Sequence, residues 1–196
     1  MIKFAYLLLF FLFLAFTNSS FAENMPVPEQ VIQLSYSASF AKDPKYVYYF
    51  LKHLDRWYLH LTPEHKKFTL LNSKELKVGT KIKNEESSQG QYLKHLYTVT
   101  QFDENGGVFQ MVSPSTQIAV WKIFQMQNKT VLTIKIKNNQ DGTYMISSDV
   151  ELVFASKAEK DKALFFKADK IWQKHVDTEM TKALEIIDSF KNDVLD

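Results

Sequence analysis

A change in hydrophobic period near Ser156 constrains the fold of this chain more than any other feature. Upstream of it, Thr130–Lys137 and Thr143–Phe154 alternate apolar and polar residues, which is typical of strands with one buried face. Downstream of it, apolar residues recur at a period of 3.6 as far as about Val194, which predicts one amphipathic helix of about 30 residues. The chain therefore has to pack a sheet against a long C-terminal helix.

The apolar stripe of this predicted helix indicates which side chains face the sheet. Ser156 and Glu159 form a capping box at the start, because serine and glutamate three residues apart satisfy the first backbone N–H groups. We expect Trp172 and Phe190 to be buried against the sheet. The whole stripe comprises Phe165, Ala168, Trp172, Val176, Ala183, Ile187 and Phe190.

Further alternating segments upstream predict the rest of the sheet, and short connections between them make it antiparallel. Short aromatic-rich helices between Tyr46 and Trp57 follow the first strand. We therefore predict an α+β fold of the helix-grip kind, in which a curved antiparallel sheet wraps around the C-terminal helix. A cavity between helix and sheet suits a small hydrophobic or aromatic molecule. The additional predicted strands are Val31–Phe40, Thr80–Ser87, Gln91–Phe102, Gly107–Val112 and Gln117–Met126, with turns at Asn105–Gly107, Gln127–Lys129 and Asn138–Gly142.

The N terminus predicts secretion. Lys3 is the only charged residue among the first 22, an apolar run follows from Phe4 to Phe16, and Ser20-Phe21-Ala22 has the small-x-small pattern of a signal-peptidase site. The apolar run reaches only ~20 Å as a helix, which is short of a ~30 Å hydrocarbon core. We expect cleavage after Ala22, a single domain over residues 23–196, a periplasmic or secreted location, and no stable membrane anchor.

The composition excludes several classes of protein. The formal net charge is +2, and loss of the leader would remove Lys3 alone and lower it to +1. A chain so balanced has no overall electrostatic signature for nucleic acid or for an anionic membrane. The absence of cysteine excludes a thiol nucleophile, a cysteine-ligated metal and an iron–sulfur cluster.

Two ionisable residues interrupt the apolar stripe of the predicted helix. His175 and Glu179 are four residues apart, so both side chains lie on the face assigned to the sheet. An unpaired charge is costly to bury, so the two residues need a partner or a ligand there. The alternative is an ordinary i, i+4 pair at the half-solvated edge of the stripe.

A second carboxylate comes from the predicted strand Thr80–Ser87. Alternation turns Asn84 and Glu86 toward the cavity and Glu85 away from it. One histidine from the preceding segment, either His60 or His65, would add a second imidazole. Two imidazoles and two carboxylates facing one cavity suit zinc or another borderline divalent ion. The alternative for Glu86 is a strand-end carboxylate in water.

Three short motifs resemble one branch of the START-related polyketide-cyclase superfamily, which includes diacetylphloroglucinol hydrolase and phloretin hydrolase. The motifs are His60-Leu-Thr-Pro-Glu-His65, a strand from Gly79-Thr80 to Glu85-Glu86, and His175-x-x-x-Glu179 on the last helix. The resemblance implies a helix-grip domain that binds zinc through two histidines and two glutamates and cleaves the bond between an aromatic ring and an acyl carbon. Matched residue by residue, it implies the ligands His65, Glu86, His175 and Glu179, with His60 and Glu85 as rivals.

This chain is shorter than those hydrolases and carries a predicted leader, whereas they act in the cytoplasm. We expect a metal-dependent hydrolase-like domain that cleaves a carbon–carbon bond next to a carbonyl on an aromatic or polyketide-type substrate. The alternative is a periplasmic carrier or sensor of a small hydrophobic ligand, because one fold hosts both kinds of protein. His95 shares a strand face with Tyr97 and Val99, which would place it at the edge of the cavity, although we expect a structural role for it. The candidate cavity-lining residues are His60, Tyr97, Trp121 and Trp172.

Overall fold

The computed structural model describes residues 30–191, so the predicted leader and its cleavage site lie outside the described residues. Seven strands and four α-helices follow one another in this range. The strands are β1 (Val31–Phe40), β2 (His65–Leu70), β3 (Lys81–Ser88), β4 (Gln91–Asp103), β5 (Val108–Val120), β6 (Phe124–Asn138) and β7 (Tyr144–Phe154). The helices are α1 (Lys45–Lys52), α2 (Tyr58–Leu61), α3 (Lys157–Phe165) and α4 (Ala168–Ser189), with a short 3₁₀ turn at Leu54–Arg56.

The seven strands form one antiparallel sheet in the order β1-β7-β6-β5-β4-β3-β2. Helix α4 packs across its inner face and contacts both β1 and β3. Alternation along each strand sends the apolar side chains to that face, so the core lies between sheet and helix. This is the predicted helix-grip fold.

The β5–β6 region differs from the prediction. Strand β5 continues through Pro114, where the register shifts between Ser113 and Thr116, and β6 already begins at Phe124. The predicted turn at Gln127–Lys129 therefore lies inside a strand and was wrong. The turn was predicted because asparagine is common in turns. Here Asn128 is instead a buried strand residue, since the inner face of the sheet is polar at this point.

Strand β2 was not predicted. It is a six-residue edge strand whose Lys66 and Lys67 are exposed, so it lacks a clear apolar alternation. Its position depends on pairing with β3, where His65 lies directly opposite Glu86. This pairing carries the first histidine to the inner face of the sheet.

The C-terminal segment is two helices, so the prediction of a single helix was wrong. The chain breaks after α3 at Phe166 and Lys167, and Lys167 has a left-handed φ of 58°. The break removes Phe165 from the apolar stripe and leaves its side chain 80% exposed. The predicted cap is present, since the backbone N–H of Glu159 donates to Ser156 Oγ at 3.3 Å.

The remaining stripe residues pack as predicted. Trp172 and Phe190 are buried, with 4% and 9% of their surface exposed. Within residues 30–191, none of the helices combines the length and the apolar character needed to cross a bilayer.

Candidate metal centre

Three separate elements bring ionisable side chains to one point on the inner face of the sheet. We call His65 of β2, Glu86 of β3, and His175 and Glu179 of α4 the His–Glu cluster. The Nε2 atoms of His65 and His175 are 3.3 Å apart, and each lies 3.8 Å from a carboxylate oxygen of Glu179. Ligand atoms of His65, His175 and Glu179 all lie within 4.8 Å of one another. Glu86 Oε2 is 3.5 Å from His175 Nε2, so it borders this set.

Local structure explains each position. On β3, period two buries Glu86, while Glu85 lies on the outer face and accepts a hydrogen bond from the Tyr92 hydroxyl. On α4, the i, i+4 spacing stacks His175 and Glu179 one turn apart on the same face. Glu86 rather than its neighbour therefore faces the cluster.

The imidazole of His65 is held in one tautomer. Its Nδ1 lies 2.6 Å from the backbone carbonyl oxygen of Tyr58, which can only accept a hydrogen bond, so Nδ1 carries the proton. The Tyr58 ring stacks on the imidazole with centroids 3.7 Å apart and an interplanar angle of 4°. Nε2 therefore carries a lone pair that accepts a hydrogen bond from His175 Nε2 at 3.3 Å and faces Glu179, and a metal ion bound here would take that lone pair.

Glu86 is the anion of the cluster. The Tyr58 hydroxyl donates to its Oε1, and the amide of Asn84 donates to the same oxygen at 2.6 Å. Burial raises the pKa of Glu86, but the positive charge that His95, His175 and His65 carry in acid, together with the Tyr58 hydrogen bond, outweighs burial and holds the pKa at about 2. This carboxylate is therefore ionised at neutral pH.

The pKa of Glu179 is shifted in the opposite direction from that of Glu86. Burial, reinforced by the charge of Glu86, raises the pKa of Glu179 to about 8, so without a cation it holds a proton at pH 7. Burial lowers the pKa of His65 to about 4, which leaves that imidazole neutral. A divalent cation placed here would be neutralised by two carboxylates once Glu179 gave up its proton.

The donor set fits zinc. Tetrahedral zinc with ligands at ~2.0–2.1 Å places neighbouring ligand atoms ~3.3 Å apart, which matches the spacing of the two imidazole nitrogens. The distances to Glu179 and Glu86 are longer by a few tenths of an ångström, within reach of a side-chain rotation. Two buried atoms, His175 Nδ1 and Asn84 Oδ1, have no hydrogen-bond partner among the described residues. The cluster is thus not fully satisfied by the protein itself.

Two small cavities adjoin the cluster between α4 and the sheet. Their volumes are about 60 and 50 Å³, and Glu86, Tyr97 and Glu179 line both of them. Trp172 lines the second cavity, together with His95. Sites for drug-sized ligands usually measure ~300–1,000 Å³, so these cavities as they stand hold an ion and a few waters.

Two of the expected cavity-lining residues lie elsewhere. Trp121 is 62% exposed in the β5–β6 turn, because β5 continues as far as Val120 and carries the tryptophan beyond the sheet. His60 lies on the exposed side of α2, whose inward positions are taken by Tyr58 and Leu61. Both expectations were wrong, and His60 no longer competes with His65.

Sequence reasoning missed the residues that support the cluster. Tyr58 contacts both His65 and Glu86, yet a tyrosine in a short aromatic helix carries no signal of this role. Asn84 lies inward beside Glu86 as alternation predicts, but the hydrogen bond that it donates to Glu86 carried no signal in the sequence. His95 is buried with Nε2 4.0 Å from Glu86 and Nδ1 3.0 Å from Thr116 Oγ1, so it belongs to the cluster's surroundings.

Several solved structures share this fold at low sequence identity. A protein of Thermus thermophilus aligns with a TM-score of 0.61 and 12% identity over 79% of this chain and 96% of its own. Ara h 8.0201 aligns with a TM-score of 0.51 and 12% identity over 82% of this chain and 99% of its own. Ginseng major latex-like protein 151 from Panax ginseng aligns with a TM-score of 0.51 and 10% identity over 70% of this chain and 89% of its own.

Identities this low show the fold alone. The helix-grip architecture is confirmed. No protein-family model and no curated protein matches the chain. The hydrolase branch therefore remains a hypothesis that depends on the site residues.

Proposed function

We propose that the protein binds one divalent ion at the His–Glu cluster, with zinc as the preferred candidate, and hydrolyses a carbon–carbon bond next to a carbonyl. The observation that carries the proposal is the convergence of His65, His175 and Glu179 ligand atoms within 4.8 Å beside two cavities. Glu86 would be the fourth ligand or would hold the charge next to it. The motifs shared with the phloretin hydrolase branch support the same chemistry.

The protein's own residues would prepare the site in distinct ways. Tyr58 fixes the lone pair of His65 through its carbonyl and holds Glu86 through its hydroxyl. Bound zinc would polarise a substrate carbonyl and lower the pKa of a water molecule. His95 lies outside the ligand set but within 4.0 Å of Glu86, so its neutral imidazole is available to hold or deliver a proton. Burial lowers the pKa of His95, which keeps it neutral at pH 7.

The substrate class follows from the walls of the cavities. Apart from Tyr97 and the cluster itself, they are largely aliphatic and aromatic, with Leu132, Val150 and Val176 shared by both. We infer a small aromatic or polyketide-type ketone, whose binding requires the two cavities to merge. Water would add across the ring–acyl bond, so that the acyl carbon leaves as a carboxylic acid and the ring carbon takes up a proton.

The test uses zinc-loaded protein and a series of acylated phenols. We expect equal amounts of phenol and carboxylic acid, with turnover abolished by a chelator or by His175→Ala and retained in Glu85→Gln, whose side chain lies on the outer face. Zinc bound at the cluster without product from any acylated phenol would refute the hydrolase function and leave the metal site intact.

The second candidate is a carrier of a small hydrophobic ligand, favoured by the apolar cavity wall formed by Phe50, Leu54 and Phe109. Mass spectrometry of protein purified under native conditions separates the two functions. A carrier should retain an apolar ligand in metal-free protein, and His175→Ala should retain it equally.

We also propose that the protein is exported. The support is the charged, apolar and small-x-small order of residues 1–22. Intact-mass analysis of periplasmic material should give a chain that begins at Glu23. A full-length chain in the membrane fraction would contradict export by cleavage.

A further inference from the structure

A patch of large apolar side chains is exposed where the β5–β6 turn meets the junction of α3 and α4. We call Trp121, Ile123, Phe124, Phe165 and Phe166 the aromatic tip. Trp121, Ile123 and Phe165 are 62%, 73% and 80% exposed. The Phe166 ring joins the two segments, with centroids 5.9 Å from Trp121, 5.2 Å from Phe124 and 5.2 Å from Phe165. Contiguous exposed apolar surface of this kind marks an interaction site.

The backbone at the tip is strained. In residues 30–191, positive φ occurs at four residues other than glycine, namely Gln89, Trp121, Lys122 and Lys167. Three of these residues, Trp121, Lys122 and Lys167, belong to the two segments of the tip. The fourth, Gln89, directly precedes Gly90, and the Trp121 ring packs against Gly90. Trp121 and Lys122 occupy the centre of a hairpin turn closed by Ile123 N–H to Val120 O at 3.0 Å. Positive φ at both central positions favours Asn-Gly, so this Trp-Lys pair is poorly suited to the turn it makes.

Lysines surround the tip. Segments 121–124 and 157–170 together contain six lysines and three acidic residues, although the whole chain has a net charge of only +2. Lys122 and Lys167 are exposed within the tip itself, between its aromatic residues. Lys162 extends over the turn, where its Nζ lies 3.4 Å from the carbonyl oxygen of Gln125. The balanced total therefore conceals a local excess of positive charge.

We propose that the aromatic tip docks the protein on an anionic lipid bilayer. Exposed tryptophan and phenylalanine insert at the headgroup boundary, and neighbouring lysines are attracted to anionic lipids. The rings project from two separate turns, and the exposed lysines between them match the charge of an anionic bilayer surface. A second copy is disfavoured, because a two-fold contact through this surface would bring Lys122 and Lys167 of both chains together.

The tip lies at the end of the molecule that holds the second cavity. The carbonyl of Phe166 accepts a hydrogen bond from Gln91 Nε2 at 2.7 Å, and Gln91 Oε1 accepts one from Trp172 Nε1 at 2.7 Å. Trp172 lines that cavity and lies 5.2 Å from the His175 ring. Docking through the tip would hold this end of the helix–sheet interface next to the bilayer.

Vesicle flotation tests the proposal on the purified chain. One set of vesicles is phosphatidylcholine alone, and the other contains equal parts of phosphatidylcholine and phosphatidylglycerol. The tip variants are Phe165→Ser, Lys167→Gln and the double variant Trp121→Asn/Lys122→Gly, which places the preferred residues in the turn. The matched control is Val78→Ser, which removes an apolar side chain that is 60% exposed elsewhere. All variants share one N terminus, checked by intact mass, so a retained leader would affect them equally.

We expect the parent and Val78→Ser to float with the anionic vesicles only and to be released by salt. Lys167→Gln should weaken binding about fivefold, since one lysine near an anionic surface contributes about that factor. Phe165→Ser and the double variant should remain at the bottom of the gradient. Equal flotation of parent and tip variants, or no flotation of the parent, would overturn the proposal. A dimer in solution that Phe165→Ser dissociates would also overturn it, because the tip would then join two copies.

Discussion

The His–Glu cluster and the aromatic tip break the usual rule of side-chain burial in opposite directions. At the cluster, ionisable groups such as Glu86 and His175 are buried, and at the tip large apolar side chains such as Phe165 face the solvent. The buried ionisable groups cost folding free energy and the exposed apolar side chains contribute little to it, so stability alone explains neither arrangement. The buried ionisable residues and the exposed apolar residues therefore mark the two regions as candidates for function.

The two regions also differ in how firmly the fold holds them. The cluster is fixed by hydrogen bonds from Tyr58 and Asn84 and by the packing of α4. At the tip, the rings of Trp121 and Phe166 contact each other at the surface, and one hairpin turn carries the exposed side chains of Trp121 and Ile123. Equivalent substitutions in the two regions should therefore have very different effects on stability.

The largest contrast is expected from the same substitution made at two tryptophans. Trp172→Ala should lower the free energy of unfolding by about 3–5 kcal/mol, because it removes a buried ring and its hydrogen bond to Gln91. Trp121→Ala should cost less than about 1 kcal/mol, since that ring is mostly exposed. Urea unfolding of both variants measures the difference. A loss below about 1 kcal/mol for Trp172→Ala would show that the helix face has been assigned wrongly.

A smaller effect is expected from pH in metal-free protein. Because burial raises the pKa of Glu179 to about 8 in the folded state, folding favours its protonated form. The contribution of protonated Glu179 to the free energy of unfolding is present at low pH and is lost as pH rises through 8. His65, whose pKa is lowered to about 4, acts in the opposite sense, but only below its ordinary pKa of about 6.5. Burial also lowers the pKa of His53 and His95, which act in the same sense as His65, so Glu179 dominates the trend only between about pH 7 and 8.

Chelator-treated protein should lose about 1 kcal/mol of stability between pH 7 and 8. Glu179→Gln should flatten this dependence, because the amide does not titrate. Glu185→Gln, an exposed change on the same helix, is the matched control and should leave the trend unaltered. A parent stability that rises over this pH range would contradict the assignment of the raised pKa to Glu179.

The smallest effect concerns the turn of the tip and has the opposite sign. Trp121→Asn/Lys122→Gly should stabilise the protein by up to about 1 kcal/mol, because Asn-Gly relieves the positive φ at both positions. Thermal unfolding would report the gain, with Trp121→Phe as the control that keeps an aromatic ring and the strain. A destabilised double variant would mean that the tryptophan serves the fold, and the contrast with the cluster would be lost.

The polar part of the site was predictable from periodicity. Glu86, His175 and Glu179 were placed correctly, because strand and helix periods fix the face on which a residue lies. The edge strand β2 was missed, since the position of His65 on the inner face depends on pairing with β3 rather than on its own alternation. Tyr58 was missed for a similar reason, because its two contacts join α2 to separate strands.

The exposed part of the molecule was not predictable in the same way. Phe165 was assigned to the interior by its place in the apolar stripe, and Trp121 because large aromatic residues are usually buried. Their exposure depends on where β5 ends and on the break at Lys167, and neither position follows from residue periodicity. The overall charge balance concealed the lysines of the tip, since it averages over the whole chain.

The central claim is that the His–Glu cluster binds a metal, and calorimetric titration of chelator-treated protein with zinc at pH 7 tests it most directly. The account predicts roughly one zinc per chain in the parent and in Glu85→Gln, and little or none in His175→Ala or Glu179→Ala. It also predicts release of about one proton per zinc, because Glu179 has a pKa of about 8 before the ion binds. No heat of binding in the parent, together with a melting temperature that zinc does not raise, would contradict it.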